Sequence, residues 1–521
     1  MKKIIGIMTA LALLTAMTAC GKSNTEVSKT NMEKGEISYP IDTDETIRYW
    51  VALPSALSTS VRNFGETEYA KELMKRTGVN IEYLHPSSGD ETQALNLLIA
   101  SDDLPDIIET NWLSQNPAAM IQKKVIVALN DYTDYMINLC KYLDENPDVD
   151  KQVKTDDGEY YAFPFIRNGE KLLATSGFMA RSDWMEELNI EMPETIEDWE
   201  NMLKVLKTKC TAPLGVHMNT LTFLCGGFGI SGSYYVDNGT VKNGLLEQGY
   251  KEFLTTMKRW YDNGYIDKNA AMLDAKQIQS NILNSYSAID FGAGGSLMGI
   301  YLNAKDDSGE EFGLTALPYP SAEKGVKAEF GNKQFKYSPI NGAAITTKAS
   351  NPELCARLLD YAYSEEGSMF NNFGIEGVSY EMKDGVPTYT ELITNNPDGL
   401  AMGQALPMYA KAAGEGPFIQ DERYIVQYYQ NPAQKAALDI WGDNNHENHM
   451  LPQITLTKEE SSEFARLNNA IETYSSEMLI KFIVGNEALD NYDAYIEQLK
   501  SMGIERCIEI EQNALDRFNA R

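Results

Sequence analysis

Ile47-Arg48-Tyr49-Trp50-Val51-Ala52-Leu53 is followed by Glu66–Arg76, by Val79-Asn80-Ile81-Glu82-Tyr83-Leu84, by Glu91–Ala100, and by Leu104-Pro105-Asp106-Ile107-Ile108-Glu109. The order of these pieces decides the fold. The first is a short apolar run, the mark of a buried strand. Tyr69, Leu73 and Met74 give the second an apolar face, and Gly78 stands just past its end, where helices commonly stop. The third alternates apolar with polar residues, the period of a strand. Ala94, Leu95, Leu98 and Ile99 line one side of the fourth, and the fifth returns as a strand. Strand and helix in turn predict an α/β lobe with a largely parallel sheet. Such sheets bind ligands beyond the carboxyl ends of their strands. That rule places residues 53–60 and Thr110-Asn111-Trp112 at the binding edge.

Downstream the alternation resumes. Tyr160-Tyr161-Ala162-Phe163-Pro164-Phe165 reads as a strand crossing into a second α/β stretch. Ser182–Leu188 predicts a short helix. A second helix opens at Pro193–Trp199 and runs to about Lys207, with Thr195 and Asp198 spaced to cap its start. Gly249–Asp262 is amphipathic. Residues 287–295 form a strand running into a glycine turn, and 313–320 a strand plus loop. From Lys458 onward the chain is mostly helical.

The N-terminus carries a different signal. Lys2 and Lys3 precede an uncharged apolar run, Ile4–Ala19, which ends in Met17-Thr18-Ala19-Cys20-Gly21. The run is too short to span a bilayer and has a small-residue junction, so 1–19 reads as a secretory signal peptide. Residues 22–38 are polar and predict a flexible linker, with ordered structure from about Thr46. The formal net charge is −30, and −32 once Lys2 and Lys3 leave with the signal. An acidic body repels nucleic acid and anionic lipid, so neither is an expected partner. Cys140, Cys210, Cys225, Cys355 and Cys507 are irregularly spaced without a CxxC pair, against a zinc or redox site. Cys355 lies in an apolar stripe and is expected in the core. A Cys210–Cys225 disulfide remains one option.

Several stretches resemble, in order, the extracellular solute-binding proteins of type II periplasmic-binding fold, in the long lipoprotein branch that includes alginate-oligosaccharide binders. Thr77-Gly78-Val79 and Leu97–Ile108 are similar to its first lobe. Tyr160–Pro164 with Met179-Ala180-Arg181-Ser182-Asp183-Trp184 resembles the crossing to the second, and Pro193–Trp199 the Pro-x-Thr-x-x-x-Trp helix start. Asn341-Gly342-Ala343-Ala344-Ile345, Asn351-Pro352-Glu353, Tyr363–Gly367 and Gly374-Ile375-Glu376-Gly377 resemble the return. Lys481–Gly485 and Met502-Gly503-Ile504 complete the series. Cys20 after its small residues resembles a lipobox, which implies acylation there. The resemblance implies two hinged lobes, the first from 46–165 and 336–374, the second from 166–335 and 375–521, after a lipidated linker at 20–45. The calcium-binding relatives carry an acidic loop where this chain has Thr208-Lys209-Cys210-Thr211-Ala212-Pro213. Calcium needs several oxygen ligands, so no metal site is carried over, and no cofactor is expected.

Enzyme motifs are weak. There is no Gly-x-Ser-x-Gly elbow. His446-Glu447-Asn448-His449 sets its histidines three apart, whereas HExxH needs four to share a helix face. A solvated loop is expected at 443–449. Aromatic residues carry more. Sugars stack apolar faces on aromatic rings and pair their hydroxyls with Asp, Asn and Glu. Trp50, Ser55, Asn111 and Trp112 lie at or near the binding edge. Phe228 and Phe291 are framed by glycines, and Tyr319 lies between two prolines. Asn341, Phe373 and Glu376 lie in the return stretches. These ten are the expected ligand residues, with Cys20 for lipidation. Trp184, Trp199 and Trp260 sit on amphipathic helices and are expected in the core.

The reading is a monomeric substrate-binding component of an ABC importer, on the outer face of the cell membrane through its lipid alone. Its ligand is expected to be an oligosaccharide and its partners permease subunits, with no catalytic step. A peptide or other small-solute binder on the same fold is the alternative, and a surface glycan hydrolase a more distant one.

Overall fold

The computed structural model describes residues 29–58, 60–86, 91–304 and 312–521. Cys20 and the signal segment lie outside them. The first lobe begins with β1 (Thr46–Trp50), β2 (Asn80–Leu84) and β3 (Ile107–Thr110). All three are parallel, with β1 between the other two. The helix Glu68–Thr77 follows β1. Thr67 caps its start by accepting from the Ala70 amide. Gly78 ends it at φ 75°, which brings its amide onto the Met74 carbonyl, as the sequence predicted. The helix Glu91–Ser101 leads to β3. Alternate residues of β1 enter different cores. Ile47 and Tyr49 pack on one face of the sheet, Trp50 with Ile108 and Trp112 on the other. A sheet covered on both faces buries nearly every side chain, which explains the continuous apolar runs.

β4 (Phe163–Asn168) carries the chain out of this sheet toward the second lobe. There β5 (Ser176–Arg181) pairs antiparallel with both later neighbours. The helix Ile196–Leu206 opens with the expected capping box of Thr195 and Asp198. A hairpin of β6 (Tyr234–Asp237) and β7 (Thr240–Asn243) precedes the helix Gln248–Asp262. β8 (Ile289–Ala293) and β9 (Leu314–Ala316) flank β5. Trp199 and Trp260 are buried in the second-lobe core, whereas Trp184 is half-buried under the Arg181 guanidinium at 4.3 Å.

β10 (Tyr337–Ile345) returns to the first sheet, antiparallel to β3 and β4. After the hairpin of β11 (Tyr380–Lys383) and β12 (Val386–Tyr389), β13 (Ile419–Asp421) joins that sheet parallel to β4. The first sheet therefore runs β13-β4-β10-β3-β1-β2 and draws a strand from the range 375–521 that the resemblance assigned to the second lobe. The helices Lys458–Val484, Tyr492–Met502 and Ile504–Ala520 finish the chain, helical as predicted. None of the described helices is long and apolar enough to cross a membrane.

Two expectations are corrected. Residues 29–45 are not a free linker but a strap across the first lobe. The Asn351 amide donates to the Thr30 carbonyl and to Glu45 at 2.9 and 2.8 Å. Arg357 donates to the Glu33 carbonyl, and the Tyr39 hydroxyl donates to the Arg357 carbonyl. Polar anchoring, with Met32, Ile37 and Tyr39 against the core, supplies what the segment lacks in apolar content. The 443–449 loop is held rather than solvated. His449 pairs with Glu329 at 3.1 Å, its ring lies 4.6 Å from that of Phe330, and Lys333 pairs with Glu447. His446 opens a short 3-10 turn and His449 follows its end, so the two do not share a zinc-binding helix face. The five cysteines among the described residues are all unpaired, so the Cys210–Cys225 option is not taken, and Cys355 is buried as expected.

Candidate functional site

A cavity of about 440 Å³ opens beyond the carboxyl ends of β1 and β3, within the size range of small-ligand sites, roughly 300–1,000 Å³. Its inner wall is first-lobe core, with Phe64, Tyr69, Leu73 and Ile81. Its outer wall is Ser55, Asn341, Gly403 and Tyr428. The mouth sits at the seam between the lobes. A Cβ built on Gly295 of the second lobe would meet the Tyr428 ring at 2.7 Å, and Tyr429 donates to the Thr175 carbonyl.

The polar centre is Glu109. β3 ends one residue later, so the strand itself aims this carboxylate at the cavity. Only 3% of it is exposed. Tyr49, on the adjoining β1, donates to Glu109 Oε2 at 2.6 Å. Burial, and then the Glu109 charge, push the Tyr49 phenol well above its ordinary value, so it stays a donor. Lys411 Nζ stands 3.4 Å from both Glu109 oxygens, longer than a good charge-assisted bond. Gly416 makes this approach feasible. At φ 151°, its missing Cβ leaves space that the Lys411 ammonium and Glu109 occupy.

Glu415 lines the outer wall and accepts from Arg167 Nη2 at 2.7 Å. Burial raises the Glu415 carboxyl and lowers Arg167, each partly offset by the other's charge. Arg167 also donates to the Phe335 carbonyl. One guanidinium thus joins the end of β4, the returning segment before β10 and the cavity loop. Nearby, the hydroxyls of Tyr161 and Tyr337 meet at 2.6 Å and tie the same two crossings.

Of the ten expected ligand residues, Ser55 and Asn341 line this cavity. Trp112 does not: it is fully buried and its Nε1 donates to the Ile108 carbonyl. Trp50 is buried beside it. Both lie on the sheet face opposite the cavity because the parallel sheet is covered on that side as well. Asn111 accepts from the Ser114 amide and shapes the turn after β3. Phe373 is packed between Tyr380 and Tyr389. Glu376 is exposed on a separate groove that Arg76 and the strap residues Glu36–Tyr39 also line. Tyr319 is buried, its hydroxyl on the Ser176 carbonyl. Phe228 is half-buried, edge-on to Phe253. Phe291 stacks on Phe223 at 4.4 Å, both half-buried, three residues before Gly294. Tyr49, Glu109, Lys411 and Glu415 were not singled out from the sequence. A charged residue ending a strand at the binding edge was the readable signal for Glu109.

A family model described as bacterial extracellular solute-binding protein matches residues 65–369. The chain belongs to that family. The fructooligosaccharide ABC transporter substrate-binding protein FusA of Streptococcus pneumoniae is 27% identical over 98% of this chain and 97% of its own. Lipoprotein LipO of Bacillus subtilis is 24% identical over 82% of this chain and 86% of its own. The solved structure of the alginate-binding protein AlgQ2 without calcium ion superposes with a TM-score of 0.72 at 24% identity, covering 92% of this chain and 100% of that one. The likeness fixes the two-lobed α/β solute-binding fold, as the resemblance implied.

Proposed function

We propose that this family member is the substrate-binding component of an ABC importer and that it binds an oligosaccharide. The observation that carries the reading is the cavity at the carboxyl edge of β1 and β3. It sets a hydrogen-bonding carboxylate, ammonium and amides among tyrosine rings, the mixture that sugar hydroxyls and their apolar faces need. Its position at the lobe seam suits a receptor whose lobes close on the ligand. The full-length similarity to FusA agrees with a sugar. Glu109 and Asn341 would accept and donate hydroxyl bonds, and Tyr49 would hold Glu109 in place. No bond is made or broken, and affinity comes from the stacking and hydrogen bonds that form as the lobes close.

Cys20 is proposed as the lipid site, with permease subunits as partners and the outer face of the membrane as location. The lipobox pattern and the similarity to a lipoprotein support this. The purified protein should show a thermal shift with at least one member of a glycan library and none with a peptide mixture. The reverse result would reject the sugar reading. Cys20→Ala should move the protein from the membrane fraction to the medium.

A further inference from the structure

The cavity carries its own sign of charge. Three carboxylates line it, Glu91, Glu109 and Glu415, against one cation, Lys411. Glu415 is already neutralised by Arg167 and Glu109 is only loosely met by Lys411. That leaves Glu91 and half-compensated Glu109 facing the interior, with no further cation among the described lining residues. Burial and the Glu109 charge both raise the Glu91 carboxyl, which fits an electronegative interior. A ligand carboxylate here would meet Glu91 and Glu109 at low dielectric, with Lys411, already shared with Glu109, as the one cation facing it. Hydroxyls meet no such penalty, since carboxylates accept from them. Discrimination by repulsion is a standard route to specificity.

We infer that this site admits the end of a glycan free of anionic groups and rejects uronate-containing chains. The inference rests on the oligosaccharide reading above and narrows it to a substrate class. Entry is by the chain end, because the inner wall of Phe64, Leu73 and Ile81 belongs to the first-lobe core while Ser55 and Tyr428 frame the mouth. The terminal unit would hydrogen-bond Glu109 and Lys411.

The test is calorimetry on the full-length receptor with two size-matched panels. One holds neutral trisaccharides and tetrasaccharides, including fructo-, gluco-, galacto- and manno-oligosaccharides. The other holds oligogalacturonates and alginate oligomers. At least one neutral member should bind, with every acidic one at least tenfold weaker. Glu109→Gln should weaken the neutral ligand tenfold or more. Ser55→Trp, at an exposed turn where folding is not at stake, should block the mouth and abolish binding. An acidic oligomer that binds as tightly as the best neutral one overturns the inference but leaves the oligosaccharide reading standing. Neutral binding that survives Ser55→Trp places the ligand elsewhere and also overturns it. If neither panel binds, the oligosaccharide reading fails, and this inference with it.

Discussion

Asp156 in the first lobe accepts a 2.7 Å hydrogen bond from Arg517 Nε, on the last helix of the chain. The pair joins residues 361 positions apart. Arg521 reaches the other oxygen of the same carboxylate and also holds the Lys151 and Lys154 carbonyls. Burial alone would raise the Asp156 carboxyl. Bonds from Arg521 and then Arg517 overcome it and hold the group below its ordinary value. Asp156→Asn keeps the shape but loses the charge and should cost about 1–3 kcal/mol, checked by urea unfolding at neutral pH. A depressed carboxylate contributes stability above its unfolded value and loses it as pH falls through the folded one. The difference between wild type and variant should therefore shrink under acid, below about pH 4.

Glu511 gives the opposite sign. It is buried beside Asn116 and Ser461 in the crevice where the lobes touch, and burial, then Glu460, raise its carboxyl to about 7. A raised carboxylate favours the folded state while protonated, so stability falls as pH climbs from the ordinary value near 4.5 to about 7. The full penalty persists above that. Glu511→Gln should stabilise the protein at pH 8 by up to about 3 kcal/mol and change little at pH 4. Melting curves at the two pH values decide this, and equal shifts at both would contradict it.

Trp112 separates core from cleft. Trp112→Ala should cost about 3–5 kcal/mol of stability, the cost of emptying a packed site. Where the variant remains folded, ligand affinity should stay within about threefold, since the indole contacts Ile108 and the core and not the cavity. A large loss of affinity at native stability would restore it to the ligand site.

Gly416→Ala acts on the Glu109–Lys411 gap. A methyl there displaces the ammonium and strains the backbone, at about 1–3 kcal/mol. Affinity for the neutral glycan should fall several-fold, with circular dichroism unchanged. Unaltered affinity would remove Lys411 from the ligand's contacts.

The first lobe was readable because its elements are short, amphipathic or apolar, and punctuated. Gly78, Thr195 and the strand runs each announce themselves locally. The site was less so. The sequence placed a binding edge at 53–60 and 110–112. The cavity is lined by Pro54, Ser55, Ala56 and Leu57 of the first stretch but only by Glu109, just before the second, because edge residues divide between two faces. Nothing in the order Glu109-Thr110-Asn111-Trp112 tells which side chain faces ligand and which faces core. Lys411 and Glu415 lie 302 and 248 residues from the partners they meet, Glu109 and Arg167. No local pattern carries such a pairing. The strap failed for a related reason. Composition reports whether a segment can bury apolar surface, not whether Asn351 and Arg357, more than 300 residues on, offer it hydrogen bonds.

That strap settles where load would enter the molecule. Between Cys20 and Lys29 the chain can reach about 30 Å when fully extended. From Thr30 onward it is fastened to the helix Pro352–Asp360, which packs against the first sheet. Tension on the N-terminus therefore arrives first at the lobe that forms the cavity floor, and reaches the last helix only through that lobe, by way of Asp156 and Arg517. With the proposed lipid at Cys20, that reach would cap how far the cavity can stand from the membrane, and closure would carry the second lobe relative to the anchored first.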